Sequence, residues 1–365
     1  MVSVASLIGQ PYSVLDTPAL IVDLDKLEAN IATMARTFRE AGVSWRPHTK
    51  GIKIPALAHK LIAAGAIGVT CAKVSEAEVM ACAGIPDILI ANQIVGPLKV
   101  SRLVALCRHA DPIVLVDNPE NVRELDAAAR QKGVRLRVLV EVDTGAQRCG
   151  VGPGEAVVAL AREVAACLGL RFCGLQTWES TVLRLPPAEK PPEVERALAS
   201  VLRSATACRQ AGLPVDIISV GGSADYWLSC RVKGVTEIEA GGGIFGDRYY
   251  QAQGVPHESA LSVLATVISR PSPTRIVTDA GVKAMSTDHH AAPAPRLPGV
   301  KSTRLNSEHG IIELEEPSTS PRLGEKIQWE VGYSDFTVHL HETMYGIRGG
   351  RIETVWPVQG RGKIQ

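Results

Sequence analysis

A lysine at the end of a short predicted strand is the residue of this chain best suited to covalent chemistry. Lys50 ends the segment SWRPHTK, which reads as a strand, and the helical run IPALAHKLIAAG follows it. In a barrel of alternating strands and helices, the residues at the carboxyl ends of the strands line the site, and an amine there can act as a nucleophile. Most lysines are solvated surface charges, so this role for Lys50 depends on the rest of the chain.

Strand-length apolar runs alternate regularly with amphipathic runs of helical period through the first two-thirds of the chain. Strands with continuous apolar character, separated by helices, are typical of a parallel sheet buried on both faces. Eight such units predict a closed (β/α)8 TIM-type barrel over residues 17–255. A doubly wound open sheet is the competing arrangement, but the switch-point glycine fingerprint is missing. The predicted strands are ALIVDL, SWRPHT, GVTCAK, DILIANQ, PIVLVDN, LRVLVEVD, LRFCGLQTW and VDIISVGG.

The pattern of apolar and polar residues changes after Pro256. Short strands broken by turns follow one another there, among them FTVHLHETMYGIRGG, with almost no helical period. We therefore predict a mainly antiparallel β domain over residues 256–365, in which the proline-rich stretch HHAAPAPRLPGV forms a loop.

Composition excludes several classes of function. The 365 residues carry a formal net charge of +1 and only 4% aromatic residues, which argues against nucleic-acid binding and favours a small-molecule ligand. Apolar runs fall short of the roughly 20 residues of a membrane span, and the N-terminus lacks the pattern of a signal peptide. The eight cysteines form no CxxC pair, so we expect reduced thiols in a cytoplasmic protein.

The ends of the predicted strands carry a short list of polar residues. Asp117 and Lys73 are expected to be structural, Asp143 suits either loop geometry or a ligand, and a surface salt bridge is the alternative for Arg148. Two glycine-rich turns, at 221–223 and 241–243, could cradle an anion with backbone N–H groups, as the loops after strands seven and eight of such barrels often do. The strand-end residues are Lys50, Lys73, Asn92, Asp117, Asp143, Arg148, Gln176, Trp178 and Glu179.

Nine segments together resemble the D-threonine aldolase and D-serine dehydratase family, which includes the 3-hydroxy-D-aspartate aldolases. They follow the family's order from Asp16 to Arg361 and so cover nearly the whole chain. The resemblance implies the alanine-racemase-like fold, a pyridoxal 5'-phosphate (PLP) barrel plus a C-terminal β domain that residues 1–16 join, and it implies homodimers. The segments are DTPALIVDLDKLEANI, RPHTKGIK, KVSEAE, EVDTGAQRCGV, GLQTW, the GG turn after strand eight, DAGVK, EHG and WPVQGRG.

The resemblance also implies roles for single residues. Lys50 would bind PLP covalently, Arg148 would lie near its phenolic oxygen, and Gln176 and Trp178 of GLQTW would lie beside the cofactor. Around the phosphate it implies Gly222, Ser223, Gly241 and Gly242.

Four departures from the family pattern bear on the chemistry. Trp178 stands where tyrosine is common, Glu179 where histidine is usual, and Ala72 where a glutamine precedes KVSEAE. In the metal-binding segment, here GYSDFT, Tyr333 replaces the family's histidine, while Asp335 remains. A neutral phenol is a poor ligand for a divalent metal such as manganese, magnesium or zinc.

We therefore predict a weak or absent metal site in which Asp335 is the remaining ligand. His309, or His289 and His290 on their loop, could add a ligand, whereas His339 and His341, expected to share one face of a strand, suit a structural role. Without the metal, the substrate hydroxyl needs another base or acceptor, for which Glu179 and Tyr333 are the candidates.

The predicted function is that of a PLP-dependent lyase acting on a D-β-hydroxy-α-amino acid. Retro-aldol cleavage to glycine and an aldehyde ranks slightly ahead of elimination of water by a dehydratase. An amino-acid racemase or epimerase, a non-catalytic PLP carrier and a barrel enzyme unrelated to PLP are the alternatives.

Overall fold

The computed structural model describes residues 6–287 and 291–365, which form two compact units. One unit, here the β unit, contains the described residues of 1–32, 51–54 and 242–362, and the other, the barrel unit, contains 33–50, 55–241 and 363–365. The sequence predicts a barrel over 17–255 and a β domain over 1–16 plus 256–365, and these domain bounds stay a prediction. None of the helices in the described residues is long and apolar enough to cross a membrane.

The helices and strands are numbered in chain order. The helices are α1 Leu24–Ala41, α2 Pro55–Ala63, α3 Val74–Cys82, α4 Pro97–Leu106, α5 Pro119–Lys132, α6 Glu155–Ala166, α7 Lys190–Gln210, α8 Tyr226–Ser229, α9 Arg248–Ala252 and α10 Ser334–Thr337. The strands are β1 Ala19–Asp23, β2 Ser44–Trp45, β3 Val69–Cys71, β4 Asp87–Gln93, β5 Asp111–Val116, β6 Leu136–Glu141, β7 Leu170–Gln176, β8 Ile217–Val220, β9 Glu237–Ile238, β10 Leu261–Ser272, β11 Arg275–Thr278, β12 Ala294–Pro295, β13 Val300–Leu305, β14 Gly310–Leu314, β15 Lys326–Glu330, β16 Thr343–Arg348 and β17 Arg351–Pro357.

The barrel unit is built on an eight-stranded parallel sheet in the order β2-β9-β8-β7-β6-β5-β4-β3. A parallel bridge between His48 and Thr70 joins the β2 side to β3, so the two ends of this strand order meet. The predicted barrel and C-terminal β domain, and with them the alanine-racemase-like fold class, are confirmed.

Local sequence signals explain where a barrel helix starts and stops. The side chain of Asn118 accepts a hydrogen bond from Glu120 N–H at 2.7 Å at the start of α5, where Pro119 occupies the first turn. Gly133 ends α5 in the left-handed conformation at φ 65°. The apolar faces of the strands then close the core, for example at Leu89, Ile113, Leu115, Leu139 and Cys173.

One strand assignment was wrong. The ALIVDL segment forms β1, which pairs antiparallel with β10 and parallel with β16 in the other sheet, not in the barrel. The eighth barrel strand is instead β9, a two-residue strand that lies between β8 and β2. A short apolar run shows that a strand is buried, but it does not show which sheet buries it, and two residues are too few to produce a pattern.

The sheet of the β unit runs β13-β14-β11-β10-β1-β16-β17, and β15 pairs with β10 and β12. All its strand pairs except β1–β16 are antiparallel, as predicted. The expectation that His339 and His341 share a strand face was wrong, because residues 338–340 form a 3-10 turn after α10. His289 and His290 lie outside the described residues, and the predicted loop around them contains the short strand β12.

Candidate active site

Lys50 lies in the 3-10 turn Thr49–Gly51, five residues after β2 ends at Trp45, and neighbouring residues of the barrel unit hold it there. His48 N–H donates to Glu239 O at 2.9 Å, and the Thr49 hydroxyl donates to Thr70 O at 3.1 Å. The backbone N–H of Lys50 donates to His48 Nδ1 at 3.3 Å, while its side chain is exposed. The turn is therefore fixed and the Lys50 side chain is exposed, while the predicted strand SWRPHT is shorter than expected, since only Ser44–Trp45 forms regular strand. The catalytic role of Lys50 stays a prediction.

Two cationic side chains converge on one indole ring. Lys50 Nζ lies 5.6 Å and Arg148 Cζ 4.8 Å from the centroid of the Trp178 ring. Each contact is within the range of a cation–π interaction. The structure thus brings together three of the residues selected from the sequence: Lys50, Arg148 and Trp178.

Arg148 is oriented by a residue that the sequence analysis missed. Its guanidinium lies 3.3 Å from Glu141 Oε1, and Gln93 Nε2 donates to the other oxygen of that carboxylate. Burial, the largest effect, raises the pKa of Glu141, while Gln93 and Arg148 act to lower it. Both Gln93 and Glu141 are the last residues of barrel strands, so the strand-end rule could have found them.

The turn that carries Arg148 is stabilised by Asp143, which has the loop-holding role named as one of its two options. Asp143 Oδ1 accepts from Gly145 N–H at 2.9 Å and from Gln147 N–H at 3.1 Å. Gln147 has φ 52°, a left-handed conformation that is costly for a residue with a side chain. Asp117 accepts from Gly150 N–H at 2.9 Å, a structural contact as expected.

The Gly221–Gly222 turn lies against the edge of Trp178. A Cβ on Gly222 would stand 3.3 Å from Trp178 Nε1, and Gly221 has φ +84°. The N–H of Gly241 donates to Ser223 Oγ at 3.2 Å, and a Cβ on Gly241 would collide with the backbone of His48. Close backbone approach therefore requires glycine at 241, and the positive φ favours it at 221, whereas a side chain at 222 would crowd the Trp178 edge. Three of the four predicted phosphate residues lie in this part of the barrel unit.

Gln176 is buried at the end of β7. Its Nε2 donates to Glu239 Oε1 at 3.1 Å, and the Ser219 hydroxyl donates to the same carboxylate oxygen at 3.0 Å. Burial raises the pKa of Glu239 to about 8. Within residues 6–287 and 291–365, Gln176 Oε1 has no hydrogen-bond partner.

Glu179 is 1% exposed, and its carboxyl group faces the glycine turn. Gly221 N–H donates to Oε2 at 3.0 Å, and the Ser229 hydroxyl donates to Oε1 at 2.6 Å. Burial, the largest effect, raises the pKa of Glu179. These contacts place the carboxyl in the protein interior, and the catalytic role suggested for it stays a prediction.

Tyr333, Asp335 and Gly242 lie in the β unit. Tyr333 O–H donates to Asp335 Oδ2 at 3.1 Å, and the ring of Tyr333 packs 4.6 Å from that of Tyr249. Burial and the nearby Asp335 charge raise the pKa of Tyr333. Cβ atoms built on Gly51 and Gly242 would both collide with the Asp335 carboxylate, so the carboxylate packs against the backbone of these two glycines of the β unit.

The described part of the chain contains no group of three or more histidine, cysteine, aspartate or glutamate side chains that could hold a metal ion. His309 is exposed, His339 Nδ1 lies 3.2 Å from Asp335 O, and His341 Nε2 lies 2.8 Å from Ala284 O. The weak or absent metal site stays a prediction. All eight cysteines, each within the described residues, are free thiols.

Comparisons with known proteins agree over almost the full chain. Residues 22–249 match the alanine racemase N-terminal domain, and residues 260–347 match a putative serine dehydratase domain. The chain is 36% identical to D-threonine aldolase from Arthrobacter sp., covering 97% of this chain and 95% of that protein. It is 34% identical to 3-hydroxy-D-aspartate aldolase from Paracoccus denitrificans (strain Pd 1222), covering 99% and 96%. The crystal structure of D-threonine aldolase from Filomicrobium marinum superposes with a TM-score of 0.95 at 38% identity, covering 98% of this chain and 99% of that chain.

Proposed function

We propose that this chain, which belongs to the D-threonine aldolase and D-serine dehydratase-like family, is a PLP-dependent lyase. It would cleave D-β-hydroxy-α-amino acids into glycine and an aldehyde. The observation that carries the proposal is the convergence of Lys50 and Arg148 on the Trp178 ring beside the Gly221–Gly222 turn.

The side chains of the barrel unit fit PLP in kind and in placement. PLP needs an accessible amine, a flat ring surface and a cradle for its phosphate. Lys50 offers the amine, Trp178 the ring surface, and the turn at 221–223 with Gly241 offers backbone that no Cβ covers. Arg148 would stand beside the phenolic oxygen of the cofactor.

When bound, PLP supplies an electron sink for the bond that breaks at the substrate Cα. In the retro-aldol direction the Cα–Cβ bond breaks, its electron pair goes to Cα, and the β-hydroxyl loses its proton as the aldehyde forms. Lys50, once its amine is released, would carry a proton to Cα to complete glycine. We assign removal of the hydroxyl proton to Tyr333 with Asp335: the phenol oxygen would accept that proton while its own O–H proton passes to the Asp335 carboxylate, so that no phenolate has to form.

This assignment includes a weak or absent metal site. Tyr333 stands where the family has a histidine ligand, and Asp335 alone offers too few donors to hold an ion tightly.

A dehydratase is the second candidate function, favoured by the match of residues 260–347 to the putative serine dehydratase domain. Elimination leaves the Cα–Cβ bond intact and expels the hydroxyl as water, so an acid rather than a base must face that oxygen. We also propose a homodimer in the cytoplasm, as the family resemblance and the free cysteines suggest.

The test incubates purified protein with PLP and then with D-threonine, D-phenylserine or D-serine, each with EDTA and with manganese. We expect aldehyde and glycine from the first two substrates in EDTA, with no gain from manganese. Lys50→Ala is the matched control: it should abolish both turnover and the long-wavelength absorbance of the lysine-bound cofactor. A 2-oxo acid with ammonia would indicate the dehydratase, and a protein that never acquires the absorbance would overturn the proposal.

A further inference from the structure

Two buried carboxyl groups lie directly beneath the Gly221–Gly222 turn of the barrel unit. Glu179 is 1% exposed and Asp225 2% exposed. Gly221 N–H donates to Glu179 Oε2, and Gly222 N–H donates to Asp225 Oδ1, both at 3.0 Å. Each glycine of the turn is therefore tied through its own N–H to one member of the pair.

The pair is linked by a hydroxyl group that has one hydrogen to donate. Ser229 Oγ lies 2.6 Å from Glu179 Oε1 and 3.3 Å from Asp225 Oδ2. Because the hydroxyl hydrogen can serve only one carboxylate at a time, the second contact is satisfied best when the other carboxyl carries a proton. Two adjacent carboxylates that are shielded from solvent repel each other, so ionising both is costly. This repulsion also favours one proton on the pair.

The electrostatic surroundings agree with one shared proton. Burial, the largest effect, raises the pKa of both groups, and the neighbouring Glu179 raises that of Asp225 further. Lys190, fully buried, donates to Ala224 O at 2.9 Å, and its charge favours the ionised form of Asp225. With one proton, the pair keeps a single negative charge, and the positive charge of Lys190 brings the cluster of three side chains close to neutral.

The pair also connects the turn to the indole ring. Glu179 directly follows Trp178 in the chain, and Trp178 Nε1 lies 3.3 Å from where a Cβ on Gly222 would stand. Asp225 lies three residues after Gly222, so the carboxyl pair fixes both the start of the turn and its relation to the ring.

We propose that Glu179 and Asp225 form an acid–carboxylate pair that positions the 221–223 turn, and with it Ser223 and Gly241, to receive the phosphate group of PLP. This inference rests on the proposed function and assigns Glu179 a positioning role instead of the role of a base. With one proton on the pair, a phosphate dianion meets one carboxylate charge instead of two, and the Lys190 ammonium offsets that remaining charge.

The experiment measures the dissociation constants of PLP and of pyridoxal, which lacks the phosphate, for the apoenzyme by quenching of tryptophan fluorescence. Glu179→Ala and Asp225→Ala each remove an acceptor of a turn N–H, so we expect PLP to bind about tenfold more weakly while pyridoxal changes much less. Glu179→Gln and Asp225→Asn keep an oxygen for the glycine N–H and put an amide hydrogen where the shared proton lies. Their PLP affinity should stay within about threefold of wild type.

Asp126→Ala is the matched control, because Asp126 Oδ1 accepts from Gly169 N–H at 2.7 Å at the opposite end of β7. It removes the same kind of bond and should leave the PLP-to-pyridoxal ratio unchanged. If the alanine variants do not fold, Ser229→Ala takes their place, with an expected loss of a few-fold for PLP alone.

Equal weakening of PLP and pyridoxal, or unchanged PLP affinity in the alanine variants, would overturn the inference while leaving the proposed function intact. If wild-type protein bound neither compound at Lys50, the proposed function would fall and the inference with it.

Discussion

Substituting Tyr333 by histidine would recreate the His-x-Asp spacing of the family's metal site with Asp335. The change removes the 3.1 Å hydrogen bond to Asp335 and shortens a ring that packs 4.6 Å from Tyr249 and 5.1 Å from Phe336. A hydrogen bond to a charged group contributes about 1.5–3 kcal/mol, and an aromatic pair about 0.5–1.5 kcal/mol. Since the ring contacts are only partly lost, we expect Tyr333→His in EDTA to be destabilised by about 3 kcal/mol.

Metal binding to the variant should offset most of that loss. Manganese at about 100 times its dissociation constant would contribute about 2.7 kcal/mol, if it binds only the folded protein. The assay is thermal unfolding together with aldehyde release, both with EDTA and with a manganese series. The variant should lose about 4 °C in EDTA and recover most of it with manganese, and its activity should become metal-dependent.

Tyr333→Phe is the matched control, because it keeps the ring packing, loses the bond to Asp335 and gains no ligand. Its melting temperature should not respond to manganese. If Tyr333→His is equally insensitive, or if wild-type activity already requires manganese, the reasoning that Tyr333 has displaced the metal is refuted.

Three further changes test the packing and charges of the barrel unit. Arg46→Ala leaves Glu237 buried without its two hydrogen bonds of 3.0 and 3.1 Å, so urea unfolding should show a loss of about 3–5 kcal/mol; a loss below about 1 kcal/mol would contradict this. Burial raises the pKa of Glu239 from 4.5 to about 8, so the folded state holds this proton more tightly than the unfolded state does. The stabilisation from this proton is complete below pH 4.5 and is lost as pH rises through about 8. Glu239→Gln, which does not titrate, should therefore gain stability relative to wild type between these two pH values. Parallel curves of melting temperature against pH for the two proteins would refute this prediction. Arg148→Lys keeps the charge but loses the planar contact with Trp178, so PLP titration should show affinity reduced about three- to fivefold, and unchanged affinity would count against the contact.

The segment around Lys50 shows why a barrel site can be predicted from local sequence. A strand ends where its apolar run stops, and all the parallel strands of a barrel end on the same face of the barrel. The side chains that directly follow these apolar runs are therefore expected to share that face. Lys50, Arg148 and Trp178 were selected on this rule, and the structure brings them together around one ring.

The pair beneath the glycine turn was not predictable in the same way. Glu179 looked like a catalytic base because it follows strand seven, yet its carboxyl bonds to Gly221 and Ser229, 42 and 50 residues away in the chain. No periodic pattern encodes such contacts. A charged residue at a strand end can face the substrate or the interior, and the partners that decide between them here, Gly221 in a turn and Ser229 in α8, lie in later segments of the chain.

The sequence by itself determined the fold class and the family, and it singled out Lys50 as the predicted reactive lysine, because these depend on periodicity and on motifs that are contiguous in the chain. Only the tertiary structure decided that β1 belongs to the β unit's sheet, that β9 completes the barrel, and that Glu179 and Asp225 face each other across Ser229. The physical reason is that a buried polar group forms hydrogen bonds with whichever groups the folded chain brings within about 3 Å. Local sequence does not determine which groups these are, because they can be far apart in the chain.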